Sequence, residues 1–110
     1  MNIYIDADAC PVKDETIRVA ARHGLKTHLV SDGGIRPSRN PLVELVIVDR
    51  GPDAADDWVA EHIQQADICV TNDIPLAARC LERGALAIKP NGEPFTENAI
   101  GMALANRELM

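Results

Sequence analysis

Several aspartates stand where apolar segments of the chain end or helix-like segments begin. Asp6 and Asp8 close the apolar stretch NIYIDAD, Asp73 closes ADICVTND, and Asp56 and Asp57 stand in DAADDWV. Carboxylates that are brought together repel one another unless a cation neutralises them. Mg²⁺ and Mn²⁺ are hard cations that prefer oxygen ligands. The chemistry that these residues suggest is therefore that of a divalent metal site.

Each of these carboxylates also has a purely structural interpretation. Asp56 and Asp57 could favour a helix N-terminus through the helix dipole, and Asp8 and Asp73 could cap the helices that follow them. Asp6 differs, because it ends an apolar segment with no helix start close enough to cap. The agreement of separate segments favours the metal site, while the choice between Asp56 and Asp57 as ligand stays open.

The elements that must position these residues follow from the apolar pattern and its interruptions. Strands are predicted at five apolar segments, residues 2–6, 25–30, 42–48, 66–73 and 85–89. Helices are predicted at four segments that begin at or just after a Pro or a capping side chain, residues 11–23, 53–65, 75–84 and 97–109.

This alternation of strands and helices predicts an α/β fold, a three-layer sandwich with a mainly parallel central sheet. Ligands of such sheets bind beyond the carboxyl ends of the strands, where the strand order reverses. Asp6, Asp8 and Asp73 follow strand ends, and Asp56 and Asp57 begin the helix after the third strand. We therefore expect all of them at one edge of the sheet.

Composition limits the classes of function. The chain of 110 residues is expected to form a single domain, residues 1–110. A net charge of -6 argues against a protein that coats nucleic acid through bulk positive charge. No segment is long and apolar enough to span a membrane. The 3 cysteines are odd in number and lack the spacing of a disulfide framework, which predicts a reducing cytoplasm.

Basic and polar residues near the same edge are candidate phosphate ligands. Arg36 and Arg39 stand in the loop SDGGIRPSRNP, and guanidinium groups suit phosphate oxygens. Lys89 ends the fifth predicted strand, and Thr71 and Asn72 directly precede Asp73. We assign these five residues as candidate substrate-binding residues, and a solvated loop is the plain alternative for the two arginines.

Cys10 stands directly before Pro11, at the predicted start of the first helix. The helix dipole could lower the pKa of its thiol there, which would suit a nucleophile or a soft metal ligand. Free cysteines are nevertheless among the most buried residue types. The sequence therefore favours packing for Cys10.

Three long motifs, DADACPV, GPDAADDWVAEHI and ADICVTNDIPLAARCLERGA, resemble the YaiI/YqxD family of bacterial proteins of unknown function. The resemblance spans essentially the whole chain. The family is grouped with PIN-like domains, which are metal-dependent nucleases. The resemblance thus implies a PIN-like fold, Mg²⁺ or Mn²⁺ as cofactor, and a nucleic acid, RNA rather than DNA, as substrate. Family members commonly continue beyond the position of Met110, so we expect a C-terminal extension.

The resemblance also implies roles for single residues. Asp6 looks like the aspartate that ends the first strand of PIN-like proteins, and Asp56 or Asp57 looks like their acidic residue at a mid-chain helix start. Asp8 belongs to the family's own DADAC element. We accordingly assign catalytic roles or metal ligation to these four residues together with Asp73.

The element TNDIPL, residues 71–76, resembles the T-x-D-x-x-L element of PIN-like proteins, with Asp73 as the ligand. PIN-like proteins often carry one more acidic residue shortly after this element. Here Pro75 and Leu76 follow instead. The number of metal ions, one or two, is therefore left open.

Two other functions remain open at this point. Asp6-Ala7-Asp8 also resembles the D-x-D opening of phosphatases that form an aspartyl-phosphate, with Asp6 as nucleophile, Asp8 as general acid and Lys89 as charge partner. That class usually keeps acidic ligands late in the chain, where this sequence has none at a strand end after Asp73. A non-catalytic metal-binding or RNA-binding module is the third reading, and the acidic composition favours it.

Overall fold

The core of the fold is a sheet of five parallel strands. The structure is a computed structural model, and it describes residues 1–51 and 53–96. The strands are β1 Asn2–Asp6, β2 Lys26–Ser31, β3 Val43–Ile47, β4 Ile68–Val70 and β5 Leu86–Ile88. Their order in the sheet is β3-β2-β1-β4-β5, and each neighbouring pair is parallel.

Helices cover both faces of this sheet. They are α1 Lys13–Arg22, α2 Ala54–His62 and α3 Ile74–Glu82, and a 3-10 turn at Ala7–Ala9 precedes α1. Ala20 of α1 shares an apolar cluster with Ile5. Val59 of α2 and Leu76 of α3 share another cluster with Tyr4. Successive residues of a strand point to opposite faces, so α1 lies on one face and the other two helices lie on the opposite face.

The predicted α/β class and the three-layer sandwich are thus confirmed. The chain leaves β1 towards β2 and β3, and then crosses back through α2 to β4 on the other side of β1. The strand order therefore reverses between β1 and β4, where such sheets bind their ligands. Within the described part of the chain, no helix has the length and apolar character needed to cross a bilayer.

The boundaries of several elements differ from those predicted. α1 begins at Lys13 rather than at 11, because the 3-10 turn and the extended residue Cys10 come first. α2 ends at His62 rather than at 65, because Ile63 is extended. β4 is shorter than the predicted strand at 66–73, and the backbone at Ala66 has a φ of 70°. The predicted helix at 97–109 lies outside the described residues.

A buried aspartate, Asp67, lies in the turn before β4, at the amino ends of the strands. The Asp67 carboxylate accepts hydrogen bonds from the backbone N–H groups of Asn2 at 2.9 Å and Gln64 at 3.0 Å. Its side chain is 7% exposed. Asp67 therefore ties the start of β1 to the turn after α2, and a polar turn replaces the first residues of the longer predicted strand.

Replacing Asp67 by alanine should destabilise the protein strongly. Asp67→Ala leaves two backbone donors without their charged acceptor, so we expect the free energy of unfolding to fall by about 3 kcal/mol in urea titrations. Glu61→Ala, at an exposed position of α2, is the matched control and should change it by less than about 0.5 kcal/mol. Equal effects of the two substitutions would contradict the role given to Asp67.

Candidate functional site

An acidic pocket lies at the carboxyl edge of the sheet, where the strand order reverses. Its cavity measures about 300 Å³. Its described lining consists of five aspartates and two small residues, Asp6, Asp8, Asp32, Asp56, Asp73, Gly51 and Ala55. No Lys, Arg or His is among these lining residues. We call this cavity the acidic pocket.

Asp6 forms the floor of the acidic pocket as the last residue of the central strand β1. Its side chain is 4% exposed, and the Thr71 hydroxyl donates a hydrogen bond to its Oδ2 at 3.1 Å. Burial raises the pKa of the Asp6 carboxyl above its ordinary value, and the nearby Asp8 and Asp73 carboxylates raise it further. The Thr71 hydrogen bond acts in the opposite direction.

Thr71 joins the two strand ends that flank the pocket. It is fully buried, and its Oγ1 accepts a hydrogen bond from the backbone N–H of Asp73 at 2.9 Å while it donates to Asp6. Asp73 in turn caps α3, since its Oδ1 accepts from the backbone N–H of Leu76 at 2.9 Å. Asp73 therefore has both roles considered for it, because it caps a helix and also lines the acidic pocket.

Asp56 carries the largest electrostatic perturbation in the pocket. Its pKa is raised to about 7, first by burial and then by the Asp73 and Asp6 carboxylates and a hydrogen bond with Asp73. The group stands in the first turn of α2, so the helix brings a third chain segment to the ends of β1 and β4. A pKa of about 7 leaves the Asp56 carboxyl only partly ionised at neutral pH.

The neighbouring residue Asp57 lies outside the acidic pocket. It is exposed, and its Oδ1 pairs with the Arg79 guanidinium at 2.8 Å. Consecutive residues of a helix point about 100° apart, so only one of the two aspartates can face the pocket. The structure places Asp56 there and Asp57 on the outer surface between α2 and α3.

The candidate phosphate-binding residues are scattered. Arg36 lines a separate groove against α1, on the face of the sheet opposite α2 and α3. Lys89 pairs with Glu93 at 3.5 Å and borders an apolar groove next to α1. Arg39 and Asn72 are exposed. The structure thus brings Asp6, Asp8, Asp56 and Asp73 together, joins Thr71 to them, and leaves the other candidates outside the lining of the acidic pocket.

Asp32 is the pocket residue that sequence reasoning missed. Asp32 directly follows β2, and Asp73 follows β4 after two intervening residues. The same criterion, a carboxylate just beyond the end of a predicted parallel strand, would have found it.

Cys10 lies beside the floor of the pocket as a packed residue. Its side chain is 2% exposed and belongs to the apolar cluster on the α1 face. Burial raises the pKa of its thiol above the ordinary value, although the nearby backbone of Val12 and the Thr16 hydroxyl lower it in part. The thiol is therefore protonated at neutral pH, as expected for packing rather than for a nucleophile.

The donor set suits a hydrated hard cation. Among residues 1–51 and 53–96, no three His, Cys, Asp or Glu side chains are arranged as a group that could hold a metal ion. Mg²⁺, however, commonly binds through one or two carboxylates and keeps several waters. An acidic pocket with raised carboxyl pKa values and only oxygen donors fits such an ion, because a cation would relieve the repulsion among the carboxylates.

The fold and the pocket define an α/β protein with an acidic site at the reversal of strand order. The chain belongs to the family described as "Uncharacterized BCR, YaiI/YqxD family", whose profile matches residues 4–110. It is 61% identical over 108 residues to the UPF0178 protein of Parvibaculum lavamentivorans, covering 98% of this chain and 71% of that protein. The UPF0178 protein of Roseobacter denitrificans is 60% identical, with 98% and 72% covered. No solved structure matches the chain.

The hydroxyl of Thr71 should contribute more to stability than the shape of its side chain. Thr71→Val keeps the volume but leaves the Asp6 carboxylate and the Asp73 N–H without their buried partner. We expect it to lower the free energy of unfolding by about 2 kcal/mol. Thr71→Ser, which keeps the hydroxyl, should recover most of this loss in the same urea titration. A stable Thr71→Val variant would contradict the bridging role.

Removing the charge of Asp56 should stabilise the metal-free protein. Its pKa of about 7 lies above the ordinary 3.8, so the folded state binds the proton more tightly than the unfolded state. The resulting destabilisation grows as pH rises from about 4 and is complete above about 7. Solvent screens part of the repulsion. We expect Asp56→Asn to raise Tm by about 5 °C at pH 8, and by less at pH 5.

Asp57→Asn is the matched control for this measurement, because it removes the same charge one residue further along α2. Asp57 is exposed and paired with Arg79, so its substitution should leave Tm unchanged or slightly lower at both pH values. The measurement is a thermal unfolding scan in a chelator-containing buffer. A gain for Asp57→Asn equal to that for Asp56→Asn would mean that overall charge, not the pocket, causes the effect.

Proposed function

We propose that this protein is a PIN-like phosphodiesterase that hydrolyses RNA with Mg²⁺ or Mn²⁺ held in the acidic pocket. The observation that supports this most directly is the convergence of carboxylates from separate elements. Asp6 ends β1, Asp56 begins α2, and Asp73 follows β4, and their mutual repulsion contributes to the raised pKa of Asp56. A fold that keeps such repulsion in a buried pocket is typical of a functional site.

We place the cation among Asp6, Asp56 and Asp73, with one or two of these carboxylates as direct ligands and the remainder bound through its waters. Asp6 is held by the Thr71 hydroxyl and Asp73 by its cap on α3, so two of the three carboxylates have fixed orientations before a cation binds. When bound, the cation supplies the positive charge that phosphate oxygens need and lowers the pKa of water. Asp8 and Asp32 line the same cavity and can hold its water shell.

Asp8 is the proposed acceptor of the proton from the attacking water. Its side chain is exposed at the pocket, in the 3-10 turn that follows β1. An exposed carboxylate can exchange protons with solvent, whereas the buried Asp6 cannot do so directly. The choice of RNA over DNA rests on the resemblance to PIN-like nucleases. A cytoplasmic location is part of the proposal, because Cys10, Cys69 and Cys80 are free thiols.

The absence of a basic side chain in the described lining makes a cation necessary for this function. A phosphate that approached the carboxylates alone would meet only negative charge. The same feature disfavours the aspartyl-phosphate alternative, which requires a lysine at the reacting group. Lys89, the candidate for that role, pairs with Glu93 and lies 5.6 Å from the ring centroid of Phe95.

Cleavage of a panel of single-stranded RNAs, followed on denaturing gels, tests the proposal. We expect cleavage with Mn²⁺, loss of cleavage with EDTA, and a fall in rate of at least about 100-fold for Asp6→Asn. Asp57→Asn, outside the pocket, should retain the wild-type rate. Cleavage that persists in EDTA or in Asp6→Asn would refute the site.

Thermal unfolding with Mn²⁺ separates catalysis from binding. At a free concentration about 100 times the dissociation constant, the ion should stabilise the wild-type protein by about 2.7 kcal/mol. Asp6→Asn should lose most of this gain. Stabilisation without cleavage would identify a non-catalytic metal-binding module, and no stabilisation at millimolar Mn²⁺ would reject the metal site altogether.

A further inference from the structure

The two outermost strands of the sheet, β5 and β3, differ in how their outer sides are covered. Along β5, the chain turns back and Pro94 forms an antiparallel bridge with Ile88. β3 pairs with β2 on one side. On its second side no described strand pairs with it, and the N–H of Val43, at its start, donates to the carbonyl of Asn40 at 3.0 Å. Within residues 1–51 and 53–96, the outer side of β3 is therefore the open edge of the sheet.

The hydrogen bonds between β2 and β3 show which backbone groups of β3 face outward. The N–H of Thr27 donates to the carbonyl of Leu42 at 2.8 Å, and the N–H of Val48 donates to the carbonyl of Ser31 at 2.9 Å. Backbone groups of a strand alternate in direction from one residue to the next. The N–H and C=O groups of Leu45 and Ile47, and the C=O group of residue 43, consequently point away from β2.

β3 has little protection along its open edge. Its sequence VELVI contains no Pro, Lys or Arg, residues that commonly block edge pairing, and its one charged side chain, Glu44, pairs with Lys26 of β2 at 3.5 Å. Ile47 is 57% exposed. Val43 and Leu45 are only partly buried on the α1 face, and Val46 is only partly buried on the opposite face. The strand thus combines unpaired backbone groups with apolar side chains that reach the surface.

We propose that β3 pairs antiparallel with β3 of a second copy of this chain, about a two-fold axis at Leu45. In this register the outward-facing residues meet one another, Leu45 with its own copy and Val43 with Ile47. A two-fold interface of this kind closes after two chains. A register centred on Glu44 would place two glutamates directly opposite each other, which is unfavourable.

Charge complementarity supports a second copy as the occupant. Arg36 and Arg39 precede β3, whereas two aspartates, Asp49 and Asp53, and one arginine, Arg50, follow it, so the first segment is net basic and the second is net acidic. Antiparallel pairing brings the net basic end of one strand to the net acidic end of the other. A parallel partner of the same sequence would instead align like charges.

Sedimentation velocity on the full chain tests the pairing. We expect a dimer for the wild type and for Ile47→Thr, which keeps the outward N–H and a β-branched side chain. Ile47→Pro removes only an outward-facing donor and should give a folded monomer by circular dichroism. If that variant fails to fold, Ile47→Lys, which adds an edge charge, should give the monomer. A wild-type protein that stays monomeric at about 100 μM overturns the pairing.

The outcomes separate the two proposals. If the wild type dimerises through β3 but cleaves no RNA, the nuclease proposal fails while the pairing stands. If it cleaves RNA as a monomer, the pairing fails while the nuclease proposal stands. Dimerisation that Ile47→Pro and Ile47→Lys leave intact would mean that another surface joins the chains, and would also overturn the pairing.

Discussion

The structure depends on holding several carboxyl groups together at the end of its central strand. Asp6 closes β1, which lies between β2 and β4 and has helices on both faces. Burial and neighbouring charges raise the pKa values of Asp6 and Asp56, so the arrangement destabilises the folded state in the absence of a cation. The rest of the fold must offset this cost.

Stabilising contacts along the strands and at both ends of the sheet offset this cost. Apolar clusters on both faces hold β1 and β4 along their lengths, and Asp67 ties the opposite edge of the sheet together. At the pocket itself, the hydrogen bonds of Thr71 fix two chain segments against each other. The repulsion is therefore confined to one edge, whose backbone cannot easily move apart to relieve it.

The fold class and the approximate place of the carboxylates could be predicted from the sequence because both follow from one-dimensional patterns. Alternating segments indicate a parallel sheet, and carboxylates after strand ends must share an edge. The direction of each side chain could not be predicted in the same way. Asp56 and Asp57 differ only by their angle around α2, and Arg36 leaves its strand end towards the α1 face. Such directions depend on helix rotation and loop path, which tertiary packing determines.

This distinction separates the predicted acidic residues, four of which line the pocket, from the predicted basic residues, none of which does. Those four acidic residues stand next to regular elements, so the sheet and α2 carry them to the pocket. The candidate basic residues stand on loops or are held elsewhere, as Lys89 is by Glu93. A pocket that has oxygen donors in its lining but lacks positive charge there must receive that charge from a bound group. A divalent cation can supply it between the carboxylates, where a phosphate would otherwise meet only negative charge.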